Sequence, residues 1–227
     1  MRMEETVPMR VIAHIRTDFA EKFGVPRQSG IEGLLGKIVF DPPFRNRDAV
    51  RGLEQYSHLW LLWQFHMARK DDWSPTVRPP KLGGNERVGV FATRSPFRPN
   101  PVGLSSVRLE KVDLEAEDAP VLYVSGADLV DMTPIFDIKP YLPYTDSHPD
   151  AAGGFAVPFA SALRVSCPEE LLRRLPAEKR QALLNVLAQD PRPAYQDDPL
   201  RVYGFRFAGA NVKFRVGNGT LTVIDIR

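Results

Sequence analysis

The chain has 227 residues, 43% hydrophobic and 26% charged, with a formal net charge of +2. That length and balance describe one large domain, or a main domain with a small appendage, around a buried core, and exclude a polycationic nucleic-acid coat, though not a local basic surface. A single cysteine, Cys167, excludes an internal disulfide and a Cys-based zinc site, while 21 prolines and 16 glycines favour strands and shaped loops over long helices.

The N-terminal stretch MRMEETVPMRVIAHIRT carries acids and lacks an apolar core of signal-peptide length, and no apolar run approaches the ~18 residues of a membrane span. A reducing, cytoplasmic setting is expected. Met9 to Ile15 reads as a first strand, with Val11, Ala13 and Ile15 on one face. The segment from Gly24 to Gly30, GVPRQSG, is a small stiff loop with polar tips, and by itself only a turn. Leu34 to Phe40 is apolar enough for a strand, ended by Asp41-Pro42-Pro43. Arg47 to Leu53 suits one or two helical turns capped by Asn46. Ser57 to Met67, SHLWLLWQFHM, suits a buried strand, although its length leaves a helix open. Within it His66 is either a satisfied core histidine or a polar contact at a pocket rim. Lys70 to Asn85 is a long, irregular loop of the size that often carries function.

Arg87 to Leu104, RVGVFATRSPFRPNPVGL, begins as a strand and becomes a rigid loop. Pro96, Pro99 and Pro101 fix their own φ and restrict the residues before them. Arg94, Arg98 and Asn100 are thus held on a backbone with little freedom to collapse, and arginine donors suit carboxylates and phosphates. Ser105 to Val112 and Val121 to Gly126 read as further strands. Asp128 to Asp146 is a second polar, proline-braced stretch, in which Asp137 and Lys139, two apart on a strand, share a face. Val165 ends the last strand expected in the main domain, taken as residues 1–165. Residues 166–227 form the appendage: two helices with proline at the start, Pro168 to Leu175 and Pro176 to Gln189, then a hairpin of Asn211 to Val216 and Thr220 to Ile226 about Gly217-Asn218-Gly219.

No G-x-G-x-x-G, Walker A, H-E-x-x-H or G-x-S-x-G motif is present, and four scattered histidines argue against a metal centre. What remains is polar, stiffened loops joining strands, which points to a barrel-like sheet holding a ligand among its loops.

ATRSPFRPNPVGLS and DIKPYLPYTDS together closely resemble the signature of the TrmO (YaeB-like) family of tRNA methyltransferases. Val25 to Gln28, Ser57 to Trp60, Arg78 to Asn85 and Gln189 to Tyr195 also look like family motifs, so the likeness spans most of the chain. One departure is Met132, where the family pattern D-G-T-P carries glycine; if that glycine serves a tight turn, the local backbone is in question.

The resemblance implies a mainly β fold: a small antiparallel β-barrel with a C-terminal α+β appendage, acting as a homodimer. It implies S-adenosylmethionine as methyl donor. The substrate would be the N6 nitrogen of threonylcarbamoyl-adenosine on the 3′ side of the anticodon in tRNA. By resemblance Pro26, Arg27, Gln28, Phe65, His66, Arg94, Leu104, Ile135, Phe136, Asp137 and Ile138 would form the cofactor pocket, with Arg94 on the methionyl carboxylate and backbone groups of Ile135 to Ile138 on adenine. Asp137, Asp190 and Tyr195 are candidates for orienting or deprotonating the target nitrogen, and transfer by positioning alone stays open. Arg98, Asn100, Lys139, Tyr141, Arg192, Asn211 and Lys213 are the substrate-side candidates, arginines for phosphates and rings for splayed bases. Two other readings share these features: a donor-responsive RNA binder without chemistry, and a methyltransferase of the same fold with another substrate.

Overall fold

The computed structural model describes residues 6–68, 72–79, 82, 85–155, 163–192 and 198–227. In chain order the elements are β1 (Ala13–Arg16), β2 (Leu35–Phe40), β3 (His58–Gln64), β4 (Thr76–Val77), β5 (Val88–Gly89), β6 (Val102–Asp113), β7 (Val121–Ser125), β8 (Thr133–Pro140), α1 (Pro143–Asp146), β9 (Arg164–Ser166), α2 (Glu169–Leu172), α3 (Ala177–Ala188), β10 (Tyr203–Phe207), β11 (Ala210–Gly217) and β12 (Thr220–Ile226).

Six of the strands close into an antiparallel barrel in the order β1-β2-β7-β6-β3-β8. Closure leaves these strands no exposed edge. Burial alternates along them as a pleat over a core requires: in β3, Leu59, Leu61 and Trp63 are buried and the residues between are not. Composition leaves the Ser57 to Met67 run open between strand and helix; the structure makes His58–Gln64 a strand and puts His66 and Met67 in a 3-10 turn. Ala13, Ile15, Ile38, Leu122, Val124 and Ile135 complete the barrel core. Arg47–Val50 is a single 3-10 turn, capped as expected by the Asn46 side chain, which accepts from the Asp48 backbone N–H at 2.9 Å.

The second sheet runs β10-β11-β12-β9 and packs with α2 and α3 around its own core. The stripe Ala182, Leu183, Val186 and Leu187 of α3 meets Phe205, Phe207 and Phe214 there. Asn218 (φ 49°) and Gly219 (φ 70°) are both left-handed, the conformation a two-residue hairpin turn needs.

Three expectations shift. The first strand spans Ala13–Arg16 rather than starting at Met9. The Arg87 stretch begins as strand only over Val88–Gly89, paired with Thr76–Val77 outside the barrel; Val90–Ala92 is a 3-10 turn, and strand resumes at Val102 with β6. Val165 lies in β9, which pairs parallel with β12 and so belongs to the second sheet.

One segment serves both halves. Between β1 and β2, Phe19 and Leu34 are buried in the second core, with Phe23, Val25 and Ile31 packed against it. Lys179 pairs with Asp18 at 2.6 Å, Asn185 donates to the Glu32 carbonyl at 3.0 Å, and the Arg206 N–H donates to Glu21 at 3.0 Å. The same segment is fastened to the barrel, where Gly30 and Gly126 approach closely and the Gly30 N–H donates to the Gly126 carbonyl at 2.8 Å.

Candidate active site

A cleft of about 630 Å³ opens at the barrel end where β3 finishes and β6 and β8 begin. One wall is the loop carrying Val25, Pro26, Arg27 and Gln28. The facing wall is the proline-stiffened loop with Arg94, Arg98 and Asn100. The floor comes from Trp63, Phe65, His66, Gly103 and Leu104, and from the approach to β8, Asp128 to Val130 and Thr133. This mixture of apolar walls and a few directed polar groups is typical of a small-molecule site.

The polar groups are held by short contacts. Arg94 donates to the Gln28 side-chain oxygen at 2.7 Å, joining the two walls. Arg98 donates to the Thr93 carbonyl at 3.0 Å, curling the stiff loop on itself. The Phe65 N–H donates to the Pro101 carbonyl at 3.1 Å, tying that loop to the end of β3. His66 is half-buried at the cleft, and burial lowers its imidazole below the ordinary range, opposed by a hydrogen bond to the Gln64 backbone.

Beneath these lies a buried relay. Trp63 Nε1 donates to Ser105 Oγ at 2.9 Å, and Ser105 Oγ donates to Asp128 Oδ1 at 2.6 Å. Gly103 makes room for it, because a Cβ there would fall 2.2 Å from the Trp63 ring. Burial pushes the Asp128 carboxyl above the usual aspartate range, opposed by the Ser105 hydrogen bond and the charge of Arg94. Sequence reasoning missed Asp128 and Ser105. The available signal was an acid inside the apolar run VSGADLV.

Two family models match most of this chain. The tRNA-methyltransferase O N-terminal domain matches residues 14–147, and the TrmO C-terminal domain matches residues 153–227. The chain belongs to the TrmO family. Among relatives it is 46% identical over 225 residues to the tRNA (adenine(37)-N6)-methyltransferase of Escherichia coli K12, covering 95% of each chain. It is 45% identical, again over 225 residues and 95% of each chain, to a Pseudomonas aeruginosa protein named putative S-adenosylmethionine-dependent methyltransferase RcsF. A crystal structure of TrmO from P. aeruginosa superposes with a TM-score of 0.79 at 35% identity, covering 100% of this chain and 99% of the other.

The TrmO likeness suggested three groups of site residues, and the structure distributes them unequally. Pro26, Arg27, Gln28, Phe65, His66, Arg94 and Leu104 meet at the cleft, joined by Arg98 and Asn100 from the substrate group. Ile135 to Ile138 do not. They follow the cleft segment by a few residues and run along the barrel wall: Ile135 is fully buried in the barrel core, and Ile138 packs against it. Asp137 bonds Lys139 at 2.8 Å on the exposed surface, the ion pair that their spacing allows. Tyr141 stacks at a tilt on Trp60, 5.5 Å between centroids. Asp190 accepts two hydrogen bonds from Arg192, each 2.9 Å, in a fork at the end of α3, and the Arg192 carbonyl accepts from Arg27. Through the Arg27 bond the C-terminal half meets the cleft wall. Asn211 and Lys213 lie on β11 away from the cleft lining. Tyr195 lies outside the described residues.

The described residues contain no group of three His, Cys, Asp or Glu able to hold a metal, and no helix long and apolar enough to cross a membrane.

Proposed function

We propose that this protein transfers a methyl group from S-adenosylmethionine to N6 of adenine 37 in tRNA, that the adenosine carries a threonylcarbamoyl group, and that the enzyme is a cytoplasmic homodimer. The observation that carries the reading is near full-length identity of 46% to a tRNA (adenine(37)-N6)-methyltransferase, with both family domains matched. The division into two parts is taken between α1 and β9, since β9 pairs within the second sheet.

The residues present fit the donor. The cleft volume falls within the ~300–1,000 Å³ usual for small-molecule sites. Bound S-adenosylmethionine would supply a sulfonium-activated methyl group. Arg94, already oriented by Gln28, presents bidentate donors for the methionyl carboxylate. Trp63, Phe65 and Leu104 offer apolar surface to the nucleoside, and the walls reduce water access. Pro96, Pro99 and Pro101 restrict the loop from Ser95 to Pro101, so less entropy is lost on binding.

The target nitrogen lies beside a carbonyl and is a weak nucleophile until its proton is drawn away. Asp137, Asp190 and Tyr195 remain candidates for that role, each as a proposal. For Asp190 the fork with Arg192 sets a condition, because its carboxylate must exchange that contact for one to substrate. Arg98 and Asn100 at the cleft, with Lys139, Tyr141, Arg192, Asn211 and Lys213 further out, are proposed to hold the anticodon arm.

The test is methyl transfer from labelled S-adenosylmethionine to two tRNA pools, one with threonylcarbamoyl-adenosine and one without. Label in the modified pool alone is expected. Equal labelling of both pools would remove the threonylcarbamoyl requirement, and no label despite donor binding would favour an RNA binder without chemistry.

A further inference from the structure

Asp128 is the single carboxylate among the described residues lining the cleft, where Lys22, Arg27, Arg94 and Arg98 also stand. Its position is built rather than incidental. The Trp63 indole donates to Ser105 Oγ, so the serine lone pair is engaged and its own proton is directed to Asp128 Oδ1. Ser105 is only 2% exposed and Trp63 9%. Two buried side chains from β3 and β6 therefore serve to hold one carboxylate at the cleft. A carboxylate has about four acceptor sites, so capacity remains for a ligand's N–H donors.

Retaining an acid here has a cost. Burial disfavours its charged form, and a structural role in the relay would be served by a neutral amide. The charge of Arg94 acts on it. Yet Arg94 donates to Gln28, and the two opposite charges share the cleft without forming an ion pair. A cation and an anion side by side but unpaired are what an amino-acid zwitterion needs: one for its carboxylate, one for its ammonium. The methionyl end of S-adenosylmethionine is such a zwitterion.

Resting on the S-adenosylmethionine reading above, we propose that Asp128, oriented by the Trp63–Ser105 relay, is the partner of the α-ammonium group of the methyl donor, opposite Arg94 on its carboxylate. Asp128 is then a binding residue for the methionyl end and not the base for the target nitrogen.

Calorimetry on the full chain separates the possibilities with three probes. S-adenosylmethionine carries both ammonium and sulfonium, S-adenosylhomocysteine carries the ammonium alone, and 5′-methylthioadenosine carries neither. Asp128→Asn is expected to weaken the first two by about ten-fold or more, the scale of a lost charged hydrogen bond. It is expected to leave 5′-methylthioadenosine within about two-fold, as for groups not in contact. Ser105→Ala, which keeps the carboxylate but frees it, should give a smaller loss with the same selectivity. Weakening of S-adenosylmethionine alone would place Asp128 at the sulfonium and overturn the proposal. Equal weakening of all three would make Asp128 a structural residue. Unchanged binding with a fall in turnover would make it a base. If the unmutated protein binds none of the probes, the cofactor reading itself fails.

Discussion

Arg94 joins the walls of the cleft through Gln28, and its loss should be felt in binding before anything else. Arg94→Ala is expected to weaken S-adenosylmethionine binding by about 1.5–3 kcal/mol, the range for hydrogen bonds to charged groups; unchanged affinity by calorimetry would remove it from the site. Asp128 makes a prediction of opposite sign for stability. Its folded pKa is raised by burial, so the folded protein holds that proton more tightly than the unfolded chain does. The burial penalty on folding is therefore full above the folded pKa and is relieved as pH falls through it toward the ordinary aspartate range. Asp128→Asn should raise the Tm of ligand-free protein near neutral pH, with the gain shrinking as the pH is lowered. A lower Tm at neutral pH would mean that the carboxylate supports the fold. At Met132 the backbone keeps the left-handed turn (φ 62°) that the family meets with glycine, and the side chain is 41% exposed. A left-handed L-residue costs ~1–2 kcal/mol, of which glycine returns ~0.5–1 through its freer unfolded chain. Met132→Gly should thus stabilise by about 0.5–1 kcal/mol, read as a higher denaturant midpoint at constant slope. Arg94 stood out in sequence because prolines stiffen its loop, whereas Pro26 to Gln28, by themselves only a turn, came from the likeness to the TrmO family; both line the cleft. Asp128 was not legible, because its partners Ser105 and Trp63 lie 23 and 65 residues away and meet it only when the barrel closes.

Among the elements, Leu34 to Phe40, Ser105 to Val112 and Val121 to Gly126 were read as the strands they are, while Tyr203–Phe207, short and alternating, was not read as one; elsewhere pairing overrode pattern. Val88 to Ala92 alternates well enough for a strand, yet its partner β4 is two residues long, and after the Val90 N–H donates to the Pro75 carbonyl at 3.0 Å the Thr93 N–H turns back to the Val90 carbonyl at 3.1 Å. With no ladder to extend along, the chain coils into a 3-10 turn and leaves Phe91 72% exposed. The junction of β3 with β6 gives the sharper test. Gly103 faces Trp63 across the ladder, and a side chain there displaces the indole from Ser105. Gly103→Ala is expected to cost about 1–3 kcal/mol through overpacking and to weaken donor binding as well. Normal affinity in this variant would show that the relay is not needed to present the cleft.

For the whole molecule, a barrel holding a ligand among its loops was legible, and so were the two helices and final hairpin of the C-terminal part. The four-stranded second sheet was not, because β9 pairs in parallel with β12 across more than fifty intervening residues, a contact that local pattern does not encode. Nor was the double role of the segment from Asp18 to Leu34, whose apolar residues serve one half while its polar loop lines the cleft of the other. Gly24 is where the two meet: its φ is +93° and a Cβ would fall 2.2 Å from the Phe205 ring. Gly24→Ala should therefore lower stability and donor affinity together, although Phe205 belongs to the C-terminal core. Loss of stability with unaltered affinity would separate the cleft wall from the second domain. The central claim, N6 methylation of adenine 37, is tested most directly by nucleoside mass spectrometry of tRNA after reaction with the purified protein and S-adenosylmethionine. The account predicts one added methyl group, on the base of residue 37 and on its N6 nitrogen. A methyl group at another position, or none while the donor binds, would contradict it.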